Sequence, residues 1–216
     1  VMHSSTDVSR LKKRMMEVDL PVLTYISEQP CTTQEERVSH ARSLSFLAQT
    51  HEKIAEGFPR TPGSPWLSHK MAAMAYYWRR SELCDEPDEE TNYSIFHYLN
   101  VAETVGFYNH EELVTRLEPL VEMDPKRPET RYMLAAHAAL IDPRKGAFLA
   151  SEAIRVAREA QATPLKLPSD VRIEWLSLRI AAECAKQMSN SAQARKLALE
   201  GVKAGGPKEA FADYLA

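Results

Sequence analysis

Apolar residues recur at steps of three and four along most of the chain, and alternation of β-branched residues at steps of two is almost absent. Leu113, Leu117 and Leu120 show the spacing, as do Leu134, Ala135 and Ala138, then Trp175 and Leu178, then Ala194, Ala198 and Gly201. Residues placed this way share one face of a helix, so each stretch reads as a helix with one buried side. The pattern predicts helices at about 5–28, 33–57, 65–84, 90–106, 110–123, 128–141, 144–161, 169–187, 191–204 and 208–215.

The breaks between these stretches carry helix-start and helix-stop chemistry. Thr32 and Thr33 each have a glutamate three residues on, so either can form a capping box. Asn109 with Glu112 repeats that logic. Ser64-Pro65 and Asp142-Pro143 pair an N-cap residue with proline at the first helical position. Gly205-Gly206-Pro207 is a stop signal. Pro119 falls inside a predicted helix, where it should remove one backbone bond and bend the helix. The longer links are a stiff proline-rich one at 57–65, an acidic one at 84–90 and a proline-bounded one at 163–168.

A repeat organises the elements. Leu113, Leu117 and Leu120, closed by Asp124-Pro125, are echoed thirty-four residues on by Ala147, Ser151 and Ile154. The intervening helix carries the large–small pair Leu134-Ala135 and then Ala138. Looser copies contain Leu47-Ala48 with Ala73, Tyr77 and Arg80, displaced by the proline-rich link, and Trp175 and Leu178 with Ala194, Ala198 and Gly201. Small residues at a crossing let two helix backbones approach, and a large neighbour fills the groove beside them. The expected fold is all-α, a right-handed α-solenoid of tetratricopeptide-like helical hairpins in one domain. Its parts would be a capping helix at 1–31, a degenerate repeat with an insertion at 32–89, repeats at 90–127, 128–168 and 169–206, and a tail or cap at 207–216.

Composition narrows the function. Net charge is −3 with both signs dispersed, so the chain lacks the basic balance of a general nucleic-acid binder. Its apolar runs are far shorter than a membrane span, and no signal peptide is visible. Three widely spaced cysteines, Cys31, Cys84 and Cys184, argue against a disulfide framework and for a reducing, cytoplasmic setting. Val1 ahead of Met2 suggests a piece of a longer chain.

The order of segments carries a resemblance. Arg42-Ser-Leu-Ser-Phe-Leu-Ala-Gln-Thr50 is followed by Ala75-Tyr-Tyr-Trp-Arg-Arg-Ser-Glu-Leu83, then Asp88-Glu-Glu-Thr-Asn-Tyr-Ser-Ile-Phe-His-Tyr98, the repeat through Asp124-Pro125, and the loop before Trp175. Over about 38–204 this resembles the helical-repeat region that follows the catalytic domain in some bacterial and phage nucleotide-sugar glycosyltransferases. No strand-rich nucleotide-binding unit precedes these helices in the chain, and no Asp-x-Asp metal motif occurs. The resemblance therefore implies an accessory role, presenting acceptor or dimerising such an enzyme.

No catalytic constellation is legible. His40, His51, His69, His97, His110 and His137 do not form a helical zinc-binding pair with a glutamate between them. His137 reads as a packing residue and His110 as part of a first helical turn. There is no Gly-x-Ser-x-Gly elbow and no phosphate-cradling glycine loop. Cys184 reads as an inert core thiol. Acidic pairs such as Glu35-Glu36 and Glu111-Glu112 stand at helix starts, where the helix dipole accounts for them. No catalytic residue, metal ligand or cofactor is assigned.

What remains is recognition. Tyr76-Tyr77-Trp78-Arg79-Arg80, with Tyr93, Phe96, His97 and Tyr98, is rich in the residue types that interfaces favour. In one reading Tyr77 and Phe96 are core and the arginines are solvated or paired with the acidic loop. In the other the cluster is a recognition surface. First helices of tetratricopeptide pairs face a concave groove, which places Tyr98 and Tyr132 at equivalent inward positions one repeat apart. Arg131 beside Tyr132 could hold an acidic group, and Arg79 marks the alternative outer surface. The expectation is a non-catalytic scaffold that takes a protein or peptide partner or a second copy of itself, without nucleic acid.

Overall fold

The computed structural model describes residues 13–14, 17–18, 20–61, 63–83, 89–162 and 168–215. Every regular element among them is a helix. In chain order these are α1 (Leu20–Glu28), α2 (Gln34–Ala55), α3 (Pro65–Glu82), α4 (Glu89–Thr104), α5 (His110–Met123), α6 (Pro128–Ile141), α7 (Pro143–Gln161), α8 (Pro168–Gln187) and α9 (Ser191–Lys203). A 3-10 turn at Lys208–Phe211 and the short α10 (Ala212–Leu215) follow. The early part of the first expected helix, before Lys13, lies outside the described residues, as do most of the acidic link and the 163–167 loop.

The expected caps form. At α2 it is Thr33 that closes the box: its hydroxyl accepts from the Glu36 amide, and the Glu36 carboxylate accepts from the Thr33 amide at 2.9 Å. Glu36 also takes the amide and the hydroxyl of Thr32, each at 2.8 Å, so both threonines serve one carboxylate. Those bonds, the Thr32 amide foremost, hold the Glu36 pKa down to about 2. Asn109 and Glu112 form the same box at α5. Ser64 and Asp142 cap α3 and α7 ahead of Pro65 and Pro143.

Three helices end in a left-handed residue. At Gly106 (φ 71°), Ser189 (φ 59°) and Gly205 (φ 96°) the following amide reaches five residues back. Those bonds are Phe107 to the Ala102 carbonyl, Asn190 to Ala185 and Gly206 to Gly201. This geometry closes a helix and turns the chain sharply.

Pro119 lies inside α5, which continues through it to Met123. The proline and Thr115, whose carbonyl loses its partner, are both exposed, so water takes the freed acceptor and the helix survives.

The chain divides into two compact units, Val1–Phe107 and Tyr108–Ala216. In the first, α2 packs on α1 and α3, and α3 packs on α4. Leu44, Leu47, Ile54, Tyr77 and Leu99 are almost wholly buried there. Each such side chain contributes roughly 1.5–3 kcal/mol of hydrophobic burial.

In the second unit α6 packs on α5, α7 and α8, α7 on α8, and α8 on α9. Ala135, Ala150, Ile154, Leu178 and Ala181, from α6, α7 and α8, make one buried cluster. The small residues work here as expected, with one change of position. Ala135 and Ala138 are buried, but Ala147 is half-buried and is not at the closest approach. Gly146 is. A Cβ on Gly146 would stand 2.6 Å from the Ala139 Cβ and 2.8 Å from its backbone nitrogen. Ala147 therefore sits one step round the helix from the crossing, and only glycine fits at the crossing itself.

The ring of Phe211 lies over Gly201 and Gly206, and packs edge-on to Trp175 at 6.5 Å. The C-terminal turn thus covers the end of the α8–α9 hairpin.

Candidate functional site

The four residues singled out for recognition fall in different surroundings. Tyr98, on α4, is half-buried, and its ring packs against Trp78 of α3 at 5.2 Å with the planes tilted by 49°. Trp78 is 45% exposed and donates its indole N–H to Glu82 at 2.8 Å. Arg79 is exposed on α3. These three belong to the first unit.

Arg131 and Tyr132, on α6, belong to the second unit and are both half-buried. Arg131 donates from Nε to the Pro125 carbonyl at 2.9 Å, which clips the guanidinium to the turn before its own helix. Its charge also helps to lower the Glu152 pKa, although the hydrogen bond from Arg155 is the larger cause.

The aromatic–arginine segment of α3 distributes its side chains around the helix. Tyr77 is core, with no exposed surface, and its hydroxyl donates to Glu52 at 2.9 Å. Tyr76 lies over His51 at 5.6 Å. Arg80 is 5% exposed rather than solvated and donates to the Ser94 hydroxyl on α4, while most of the acidic loop expected as its other partner lies outside the described residues. Its stem sits on the same face as Tyr77, three residues back, which carries it into the α3–α4 seam. Phe96 is half-buried against His97, and the Tyr93 side chain lies outside what is described.

The structure also makes imidazole hydrogen bonds that sequence spacing did not signal. His51 and His69 join α2 to α3 through their Nδ1 atoms at 2.8 Å. His110 and His137 join α5 to α6 the same way at 3.0 Å, with rings stacked at 5.2 Å. His40 meets the Cys31 sulfur through Nδ1 at 2.8 Å. An Nδ1–H···Nδ1 bond needs one ring to accept, so each histidine pair can hold at most one shared proton between those atoms. Burial, then the neighbouring ring, lowers His51 to about 4 and His137 to about 4. Burial also lowers His69.

In the second unit Arg158 on α7 ties two further helices. It donates to Glu174 on α8 at 2.7 Å and to Glu200 on α9 at 2.6 Å, while Gln161 donates to the other Glu174 oxygen at 2.7 Å. Cys184 is fully buried, and burial pushes its thiol up to about 11, so it is an unreactive core residue.

The chain matches no protein-family model and no curated protein. Among the described residues no helix is long and apolar enough to cross a membrane.

Proposed function

We propose that this chain is a non-catalytic scaffold, a right-handed α-solenoid of tetratricopeptide-like hairpins that binds a protein or peptide partner in a reducing, cytoplasmic setting. The observation that carries the reading is the packing of α6 on both its hairpin partner α7 and the next first helix, α8. A helix that buries one side on its partner and another on the following pair is the building rule of a stacked helical repeat. The small residues at the α6–α7 crossing, Gly146 and Ala139, supply the close approach such stacking needs.

Tyr98 on α4 of the first unit and, separately, Arg131 and Tyr132 on α6 of the second are the partner-binding residues of this reading. Tyrosine brings a large contact area and a hydroxyl at little conformational cost. Arg131 is already braced on the Pro125 carbonyl, so less side-chain freedom is lost when it meets an acidic group. The test is a Tyr98→Ala, Tyr132→Ala double variant with an unchanged helical circular-dichroism spectrum. It should lose the partners that the parent recovers in an affinity pull-down. Recovery of the same set would overturn this assignment and move the search to the surface at Arg79.

A further inference from the structure

Cys31 lies in the link between α1 and α2, just ahead of the Thr33 cap. It is half-buried, so solvent reaches the residue. Its sulfur stands 2.8 Å from Nδ1 of His40, whereas the two carbonyls that it also approaches, those of Glu36 and Gln29, are 3.9 and 4.0 Å away. His40 projects from the second turn of α2 and is only 8% exposed. The Cys31 sulfur is the one hydrogen-bond partner of that ring among the described residues.

Both sides of the contact are held in place. Glu36 takes the Thr32 amide, the Thr32 hydroxyl and the Thr33 amide, which fixes the backbone directly after Cys31. Burial on α2 fixes the imidazole. In the neutral pair the thiol gives its hydrogen to Nδ1, which leaves the ring proton on Nε2. A thiol bonded to a placed imidazole base, and open to solvent, is the arrangement that makes sulfur a nucleophile. Cys184 is the contrast: it is fully buried, and no reagent in solution reaches it.

We propose that Cys31 is a thiol-modification site with His40 as its general base, and that its co-reactant is a low-molecular-weight disulfide. The step is a thiol–disulfide exchange. Nδ1 of His40 takes the thiol proton as the Cys31 sulfur attacks one sulfur of the disulfide. A bond forms between those two sulfurs, the original sulfur–sulfur bond breaks, and its electron pair leaves on the departing sulfur. That sulfur takes the proton from the imidazolium and departs as a thiol. Cys31 is oxidised to a mixed disulfide, the small disulfide is the oxidant, and a free thiol reverses the step.

The experiment uses the full chain with Cys84→Ser, which removes the cysteine outside the described residues. The probe is bis(2-hydroxyethyl) disulfide, which is small and uncharged. Adduct formation on Cys31 is followed near neutral pH by peptide mass spectrometry. The reference is a synthetic peptide of residues 28–34, which carries Cys31 without His40. Cys31 in the folded chain should react about tenfold faster than in the peptide, within the range of general-base catalysis, and dithiothreitol should remove the adduct. His40→Gln should bring the rate down to that of the peptide or below it, with an unchanged circular-dichroism spectrum. A folded chain that reacts no faster than the peptide overturns the proposal, as does a folded His40→Gln variant that keeps the parent's rate. If His40→Gln unfolds, the ratio of parent to peptide decides alone: a faster parent sustains the site, and an equal or slower one rejects it.

Discussion

His137 shows how a single buried titratable group makes this fold sensitive to acid. Its folded pKa is lowered to about 4 by burial and by His110, whereas an unfolded histidine titrates near 6.5. Between those values the unfolded chain binds the proton and the folded chain does not, so stability is complete above about pH 6.5 and falls as pH drops toward 4. A His137→Gln variant removes this proton linkage and should flatten the stability–pH curve in that window. The difference from the parent should reach about 3 kcal/mol at pH 4, measured by urea unfolding at several pH values. Parallel curves for parent and variant would show that the ring protonates in place. Ser189 makes a second case at this scale. It holds a left-handed φ of 59° at the end of α8, a conformation that costs an L-residue about 1–2 kcal/mol. Gly106 and Gly205 fill the matching positions elsewhere. Ser189→Gly should raise stability by roughly 0.5–1 kcal/mol, because glycine's greater freedom in the unfolded chain takes back part of the gain. A fall in the melting temperature would mean that Ser189 contributes something beyond backbone geometry.

Whole helices were the most legible level of this sequence, and the contacts between them the least. Caps are local chemistry: Thr33 with Glu36, Asn109 with Glu112 and Ser64 before Pro65 each act within a few residues, so spacing alone placed the helix starts. Crossings depend on the rotation of one helix against another. The repeat register pointed at Ala147 where the contact belongs to Gly146, one residue and about a quarter-turn away. The imidazole pairs were invisible for the same reason, since His51 and His69 meet only once α2 and α3 have folded back on each other. Arg80 shares the repeat face of Ala73 and Tyr77, which spacing does show, but its bond to Ser94 inside the α3–α4 seam is another contact that spacing does not. The crossing yields a prediction at this scale. Gly146→Ala gains up to about 1 kcal/mol of helix propensity but drives a methyl into the α6 backbone at Ala139. Overpacking of this kind costs roughly 1–3 kcal/mol, so the variant should be less stable than the parent. Adding Ala139→Gly should restore part of the loss, although Ala139→Gly alone destabilises. An additive double mutant, measured by denaturant midpoint, would show that the two residues do not share a crossing.

At the scale of the molecule the question is which stretch of chain can fold by itself. Residues 108–216 contain a continuous set of buried partners, from Leu113 and Leu117 on α5 through Leu134 and Ala135 on α6 to Leu178 on α8. Phe211 then covers the last hairpin. Arg158 adds a staple from α7 to Glu174 and Glu200. Solvent weakens that staple, because Arg158 is half exposed, and the apolar cluster does most of the holding. A compact unit with its own core and a covered end should survive excision. We predict that a fragment of residues 108–216 is helical and unfolds cooperatively in urea. Within it Gly146→Ala should shift the midpoint, since α6, α7 and their crossing are all retained. Removing 207–216 from the fragment should cost more than any surface substitution, because it strips Phe211 from Gly201 and Trp175 and leaves the α8–α9 hairpin open. Circular dichroism against urea decides the matter. A non-cooperative slope in the fragment would mean that its core is incomplete. An unchanged midpoint after loss of the last ten residues would mean that Phe211 is not the cap.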